Sequence, residues 1–137
     1  MLLYRPVGVK ELELIAQAGW HEYPPRLPEQ PIFYPVLNQG YAEQIARDWN
    51  TKDAASGYAG FVTRFELPDD YASQFAREVV GNQSHEELWV PAEDLAVLNG
   101  KIIGTISVVA YFYGSDYQGE IDPDTNLPID LPAADAP

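Results

Sequence analysis

The sequence predicts an α+β domain built from short mixed or antiparallel sheets flanked by short helices. Residues 58–67 alternate Phe61, Thr63, Phe65 and Leu67 against Val62, Arg64 and Glu66, the period-two signature of a strand. Residues 9–18 place Val9, Leu12 and Ile15 at helical spacing. Strand and helix segments do not strictly alternate along the chain, which argues against a doubly wound parallel sheet.

Taken in order, Leu2-Leu3-Tyr4-Arg5-Pro6-Val7 is a first strand, apolar except for one arginine. The helix over 9–18 finds its stop at Gly19. Residues 20–31 hold Pro24, Pro25, Pro28 and Pro31, which exclude regular structure and stiffen a connection able to wall a site. Residues 32–36 form a short strand with a bend at Pro35. Asn38 can cap a helix over 39–49 whose Tyr41, Ala42, Ile45 and Trp49 make one face. Residues 50–57 are a polar loop, and Asp69 or Asp70 is placed to cap a short helix carrying Tyr71 and Phe75. Residues 86–91 are a strand that Pro91 stops, residues 91–98 a helical turn or short helix, and residues 102–113 a last strand interrupted at Gly104. Together these make one domain over residues 1–114. In residues 115–137 Pro, Asp and Ala dominate, so that stretch reads as an acidic tail, extended or disordered.

At 137 residues the chain is long enough for one core and short for two. The absence of cysteine removes disulfides, thiolate metal sites and cysteine nucleophiles together. No apolar stretch approaches the length of a bilayer span, and the first residues lack the pattern of a signal peptide, so a cytoplasmic location and no membrane partner are expected. The formal net charge of -13 disfavours a protein that tracks nucleic-acid backbones. Asp116, Glu120, Asp122, Asp124, Asp130 and Asp135 fall in the tail, so the body is only moderately acidic.

The segment Glu86-Glu87-Leu88-Trp89-Val90-Pro91 carries the chemistry. Alternation puts Leu88 and Val90 on one face and Glu87 and Trp89 on the other, so burying the aliphatic face turns Glu87 toward a cleft or solvent. Glu86 points the opposite way. Arg5, alone in an apolar strand, is either a ligand-binding fork or an internal cation paired with Glu66, Glu87 or Asp94. Tyr34 is either a flat platform for a ring or a packing aromatic. No pattern joins His21 and His85, so no metal site is expected; Asp122-x-Asp124-x-Asn126 lacks the glycine and closing glutamate of a calcium loop. Neither Gly-x-Gly-x-x-Gly nor a Walker-type Gly-Lys-Ser/Thr is present, so any nucleotide is held in another way.

Tyr4-Arg5, the helix ending at Gly19, Tyr34 before a helix ending at Trp49, and Glu87-Leu88-Trp89-Val90-Pro91 stand in the order of landmarks of the ADP-ribosyltransferase superfamily, and the chain resembles a small bacterial member. Over residues 2–113 it is also similar to bacterial proteins labelled ADP-ribosylation/crystallin J1. The true ADP-ribosylglycohydrolases that the label suggests are larger, all-helical dimetal enzymes, and this chain has no matching carboxylate cluster. The resemblance implies that Arg5 holds the dinucleotide, Tyr34 supports the nicotinamide pocket and Glu87 binds the nicotinamide ribose. It implies NAD as substrate, no metal, and transfer of ADP-ribose to an unidentified acceptor, a protein among the candidates. Arg64 adds a second phosphate contact or a cross-strand ion pair. His85, two residues before Glu87 on an extended strand, adds a possible substrate contact. Arginine-type members usually carry a Ser-Thr-Ser-like element where Tyr34-Pro35 stands here, closer to histidine-type members. Members that have lost activity keep a second reading open, an inactive fold that binds a nucleotide or a protein partner.

Overall fold

In the first strand every second residue turns inward, and this sets how the remaining elements pack. A computed structural model of the chain describes residues 1–81 and 85–132. In chain order the elements are β1 (Leu2–Val7), α1 (Val9–Gln17), β2 (Ile32–Phe33), α2 (Gln39–Asp48), β3 (Ala59–Glu66), α3 (Asp69–Ala72), β4 (Ala76–Val79), β5 (Glu86–Pro91), α4 (Leu95–Lys101) and β6 (Ile103–Tyr113). They form two three-stranded antiparallel sheets, ordered β1-β3-β6 and β2-β5-β4. This is a small α+β domain with short helices on its sheets. No helix among the described residues is long and apolar enough to cross a membrane.

Leu3, Arg5 and Val7 face inward from β1, opposite Phe65, Thr63 and Phe61 of β3. Against that face packs α1 through Leu12, Ile15 and Ala16; the spacing predicts the first two but also Val9, which is only partly buried, and does not single out Ala16. The helix ends in a Schellman motif: Trp20 N donates to Ile15 O and Gly19 N to Ala16 O, both at 3.0 Å. Gly19 at φ 72° takes the left-handed position where a Cβ would be strained, and Trp20 follows at φ 64°. The opposite face is covered by α2, capped by Asn38 Oδ1, which accepts from Tyr41 N. Its buried residues are Ala42 and Ala46. Gly60 lets the helix lie close, since a Cβ there would stand 2.5 Å from the Ala46 carbonyl oxygen.

The proline-rich connection is anchored at Tyr23, which is fully buried. Its ring meets Phe33 and Phe65 at centroid distances of 5.2 and 5.1 Å. Its backbone N–H donates to Asn99 Oδ1, and Asn99 Nδ2 donates back to its carbonyl. The Thr63 hydroxyl spends its one hydrogen on the Arg5 carbonyl at 2.8 Å. Tyr23 is therefore the donor in its 2.7 Å bond to Thr63 Oγ1. Burial drives the Tyr23 pKa upward, which keeps the phenol protonated.

Two expectations need correction, and two stretches take a course that local pattern does not give. The strand over 32–36 is only Ile32–Phe33, with Val36 returning as a single bridge after Pro35. Neither Asp69 nor Asp70 caps α3: Pro68 holds that position, Asp69 takes the chain's amino terminus at 2.6 Å, and Asp70 accepts from Tyr71 N. β4 was not foreseen, because its exposed Ala-Arg-Glu-Val carries no buried face to alternate. Residues 115–132 are mostly exposed but touch the domain at several points. Tyr117, Leu127 and Leu131 pack on the core, Trp20 Nε1 donates to the Pro132 carbonyl at 2.7 Å, and the Tyr113 hydroxyl donates to the Asn126 carbonyl. The remainder of the expected tail, residues 133–137, lies outside the described residues.

Removing one partner of a buried hydrogen bond leaves the other unsatisfied. Tyr23→Phe and Thr63→Val are each expected to cost about 1–3 kcal/mol in urea unfolding. The double variant should cost less than the sum, because neither hydroxyl is then left facing an apolar partner. Additive costs would show that the two hydroxyls do not act as a pair.

Candidate active site

β1 is an edge strand, and its open side decides where a ligand can enter. Tyr4 uses that side, donating to Val36 O at 2.9 Å and accepting from Val36 N at 2.7 Å. Two residues on, the same edge belongs to Pro6, which has no N–H, so the pairing cannot continue. A cleft of about 730 Å³ opens at this point. Its walls are the start of α1, the proline-rich connection, and one side of α2.

Val36 also bridges Glu87, with Leu37 N donating to Glu86 O and Leu88 N to Pro35 O. Tyr4, Val36 and Glu87 therefore stand in a row that runs from β1 through the Val36 bridge to β5, and they share the face that α2 covers. Arg5, one residue further along β1, points to the other face, toward α1. Both line the cleft because it wraps around the edge of β1.

Glu87 is 9% exposed, while Leu88 and Val90 are fully buried and Trp89 is 41% exposed. The Tyr41 hydroxyl donates to Glu87 Oε2 at 2.8 Å and Trp89 Nε1 donates to Oε1 at 3.1 Å. One donor on each oxygen fixes the carboxylate and leaves lone pairs for further donors. Partial burial and the bond to Glu87 push the Tyr41 pKa up to about 12.

The Arg5 side chain is nearly buried and closed by Glu11. Nε donates to Glu11 Oε2 at 2.7 Å and Nη2 to Oε1 at 3.0 Å, with the guanidinium 4.8 Å from the Phe33 ring centroid. Burial works against its charge; the field and hydrogen bonds of Glu11 more than offset this, and the pKa stands above its ordinary value. The partner is thus neither Glu66, Glu87 nor Asp94, but a helix residue six positions away. Arg26 lies over Tyr34 at 5.9 Å, and its pKa is lowered by partial burial and by the like charge of Arg5.

Of the residues singled out in sequence, Arg5, Tyr34 and Glu87 line one cleft. His85 stacks on Tyr41 at 4.2 Å and so stands behind the Glu87 partner. Arg64 pairs across the sheet with Tyr4 and Ser107, on the face away from Arg5, and is not part of the cleft wall. Sequence reasoning missed Tyr41, Ile45 and Trp49 as cleft residues, having grouped them with Ala42 as one packing face. Their i, i+4, i+8 spacing is a row distinct from Ala42 and Ala46, and that was the available signal. Below Trp49, Asn50 Nδ2 donates to Ser56 Oγ, and Ser56 donates to Asp53.

No family model, curated protein or solved structure matches the chain, so the functional reading stands on its own residues.

The raised Tyr41 pKa fixes a pH dependence. Up to about pH 10 the phenol is protonated folded and unfolded alike; between there and about pH 12 only the folded state keeps the proton, so stability falls as pH rises. Tyr41→Phe should make that alkaline decline shallower in urea unfolding series run across this window. An unchanged slope would mean that Tyr41 is not held as a donor to Glu87.

Proposed function

We infer that the chain is an ADP-ribosyltransferase-like protein whose cleft takes NAD, with Glu87 as the carboxylate that receives the nicotinamide ribose. The observation that carries this reading is the placement of a carboxylate, held by Tyr41 and Trp89, on the wall of a cleft it shares with Arg5 and Tyr34. The paired antiparallel sheets with flanking short helices are compatible with the transferase fold that the sequence resembles.

In the reaction, the bond between ribose C1 and the nicotinamide nitrogen breaks, and its electron pair neutralises the pyridinium of the leaving group. An acceptor nucleophile bonds to C1 and loses its proton to solvent. Positive charge spreads over the ribose in the transition state, as in glycoside hydrolysis. A fixed carboxylate accepting a ribose hydroxyl hydrogen stabilises that charge more in the transition state than in the ground state. Tyr34 supplies a face for the nicotinamide, and Arg5 with Arg26 supplies cations for the pyrophosphate. Arg64 is left out of this assignment, and His85 acts only by packing behind Tyr41.

A second reading is favoured by one observation, the closed pair of Arg5 with Glu11. A cation already satisfied suits a module that binds a nucleotide or a protein partner without turning it over.

Nicotinamide release from NAD separates the two readings. Glu87→Gln keeps the shape and removes the charge, and is expected to lower the rate about a hundredfold or more with circular dichroism unchanged. Retained turnover in that variant would remove Glu87 from the chemistry. Absence of turnover in the wild type, with calorimetric binding of NAD or ADP-ribose, would favour the binding module.

A further inference from the structure

Arg5 presents Nε and Nη2 as parallel donors, a fork that fits a carboxylate and a phosphate equally well. Glu11 fills both positions, at 2.7 and 3.0 Å, and both residues line the cleft. The Glu11 side chain keeps 24% of its surface exposed, so it is not locked in the interior as Arg5 is. Glu11 also has another place to go. It is the third residue of α1, whose N-cap Gly8 has no side chain with which to cap the helix, and a glutamate at that position can reach back to the N-cap N–H.

We propose that Glu11 is a resident substitute for a ligand oxyanion: a phosphate or pyrophosphate group entering the cleft displaces its carboxylate from the Arg5 fork, and Glu11 sets the affinity by competing for that fork. The proposal rests on the nucleotide reading of the cleft and adds its regulation. Arg26 lines the same cleft as Arg5, so an arriving oxyanion meets two cations. A fork closed for about nine-tenths of the time weakens apparent affinity about tenfold. A nucleoside without phosphate has nothing to exchange for Glu11, so the device favours phosphorylated ligands.

Calorimetry of the full chain with ADP-ribose, inorganic pyrophosphate and adenosine tests this in Glu11→Gln and Glu11→Asp. Glu11→Gln should bind ADP-ribose and pyrophosphate about tenfold more tightly than wild type, with adenosine unchanged. Equal affinity of wild type and Glu11→Gln for ADP-ribose overturns the competitor role and leaves the nucleotide reading standing. No heat with any probe in any variant overturns both. If Glu11→Gln does not fold, Glu11→Asp decides: its shorter side chain keeps the charge but spans the fork poorly. Tighter binding of ADP-ribose in that variant supports the proposal, and equal or weaker binding overturns it.

Discussion

Everything about the cleft depends on one bridge, the pairing of Val36 with Tyr4 on one side and Glu87 on the other. Four backbone hydrogen bonds make it, two between Tyr4 and Val36, one from Leu37 to Glu86 and one from Leu88 to Pro35. At about 0.5–1.5 kcal/mol net for each, they contribute only a few kcal/mol. Their geometric effect is larger than their energy. Arg5 belongs to one sheet and Glu87 to the other, and this bridge brings the two residues to a common hollow. Pro6 completes the arrangement by refusing to extend the ladder, so the edge that would otherwise zip shut stays open.

Charge is distributed to match. The chain carries 21 acidic side chains against eight Lys and Arg, a surface that repels anions in general. The cleft wall departs from that average, with Arg5, Lys10 and Arg26 facing Glu11, Asp53 and Glu87. Locally the balance is even. Exposed charges further away than about 8–10 Å are largely screened at physiological salt, so an anion within the cleft responds mainly to this balanced set. The acidic residues of the C-terminal stretch bear on solubility more than on what the cleft can hold.

The sequence made legible what rests on local periodicity. The alternation of β3, Leu12 and Ile15 of α1 with the Gly19 stop, and the Asn38 cap each arise from interactions a few residues apart, and they stand where spacing put them. Glu87 was legible because burying Leu88 and Val90 forces its side chain to the opposite face. What could not be read depends on contacts across the chain. Glu11 as the partner of Arg5 follows from how α1 folds back over β1, and nothing in its spacing separates it from other acidic residues. The course of residues 115–132 involves contacts distant in sequence, among them the bond from the Trp20 indole to the Pro132 carbonyl, 112 residues away. Isolated apolar residues looked too sparse to dock, yet Tyr117, Leu127 and Leu131 each find the core.

The site residues that sequence grouping misplaced show how packing and chemistry share one helix. α2 has small residues, Ala42 and Ala46, where it meets the sheet, and Gly60 carries no Cβ to hold the helix away from the strand. That close approach fixes the height of α2 above β3 through contacts between backbones, which are less adjustable than contacts between flexible side chains. The adjacent row then has no freedom of its own. Tyr41 is carried to within 2.8 Å of the Glu87 carboxylate, while Ile45 and Trp49 are turned into the cleft. An alanine face that contributes little apolar area is thus the element that sets the position of the carboxylate's donor. The glycine and alanines at this contact serve the site through geometry, not through the energy they bury.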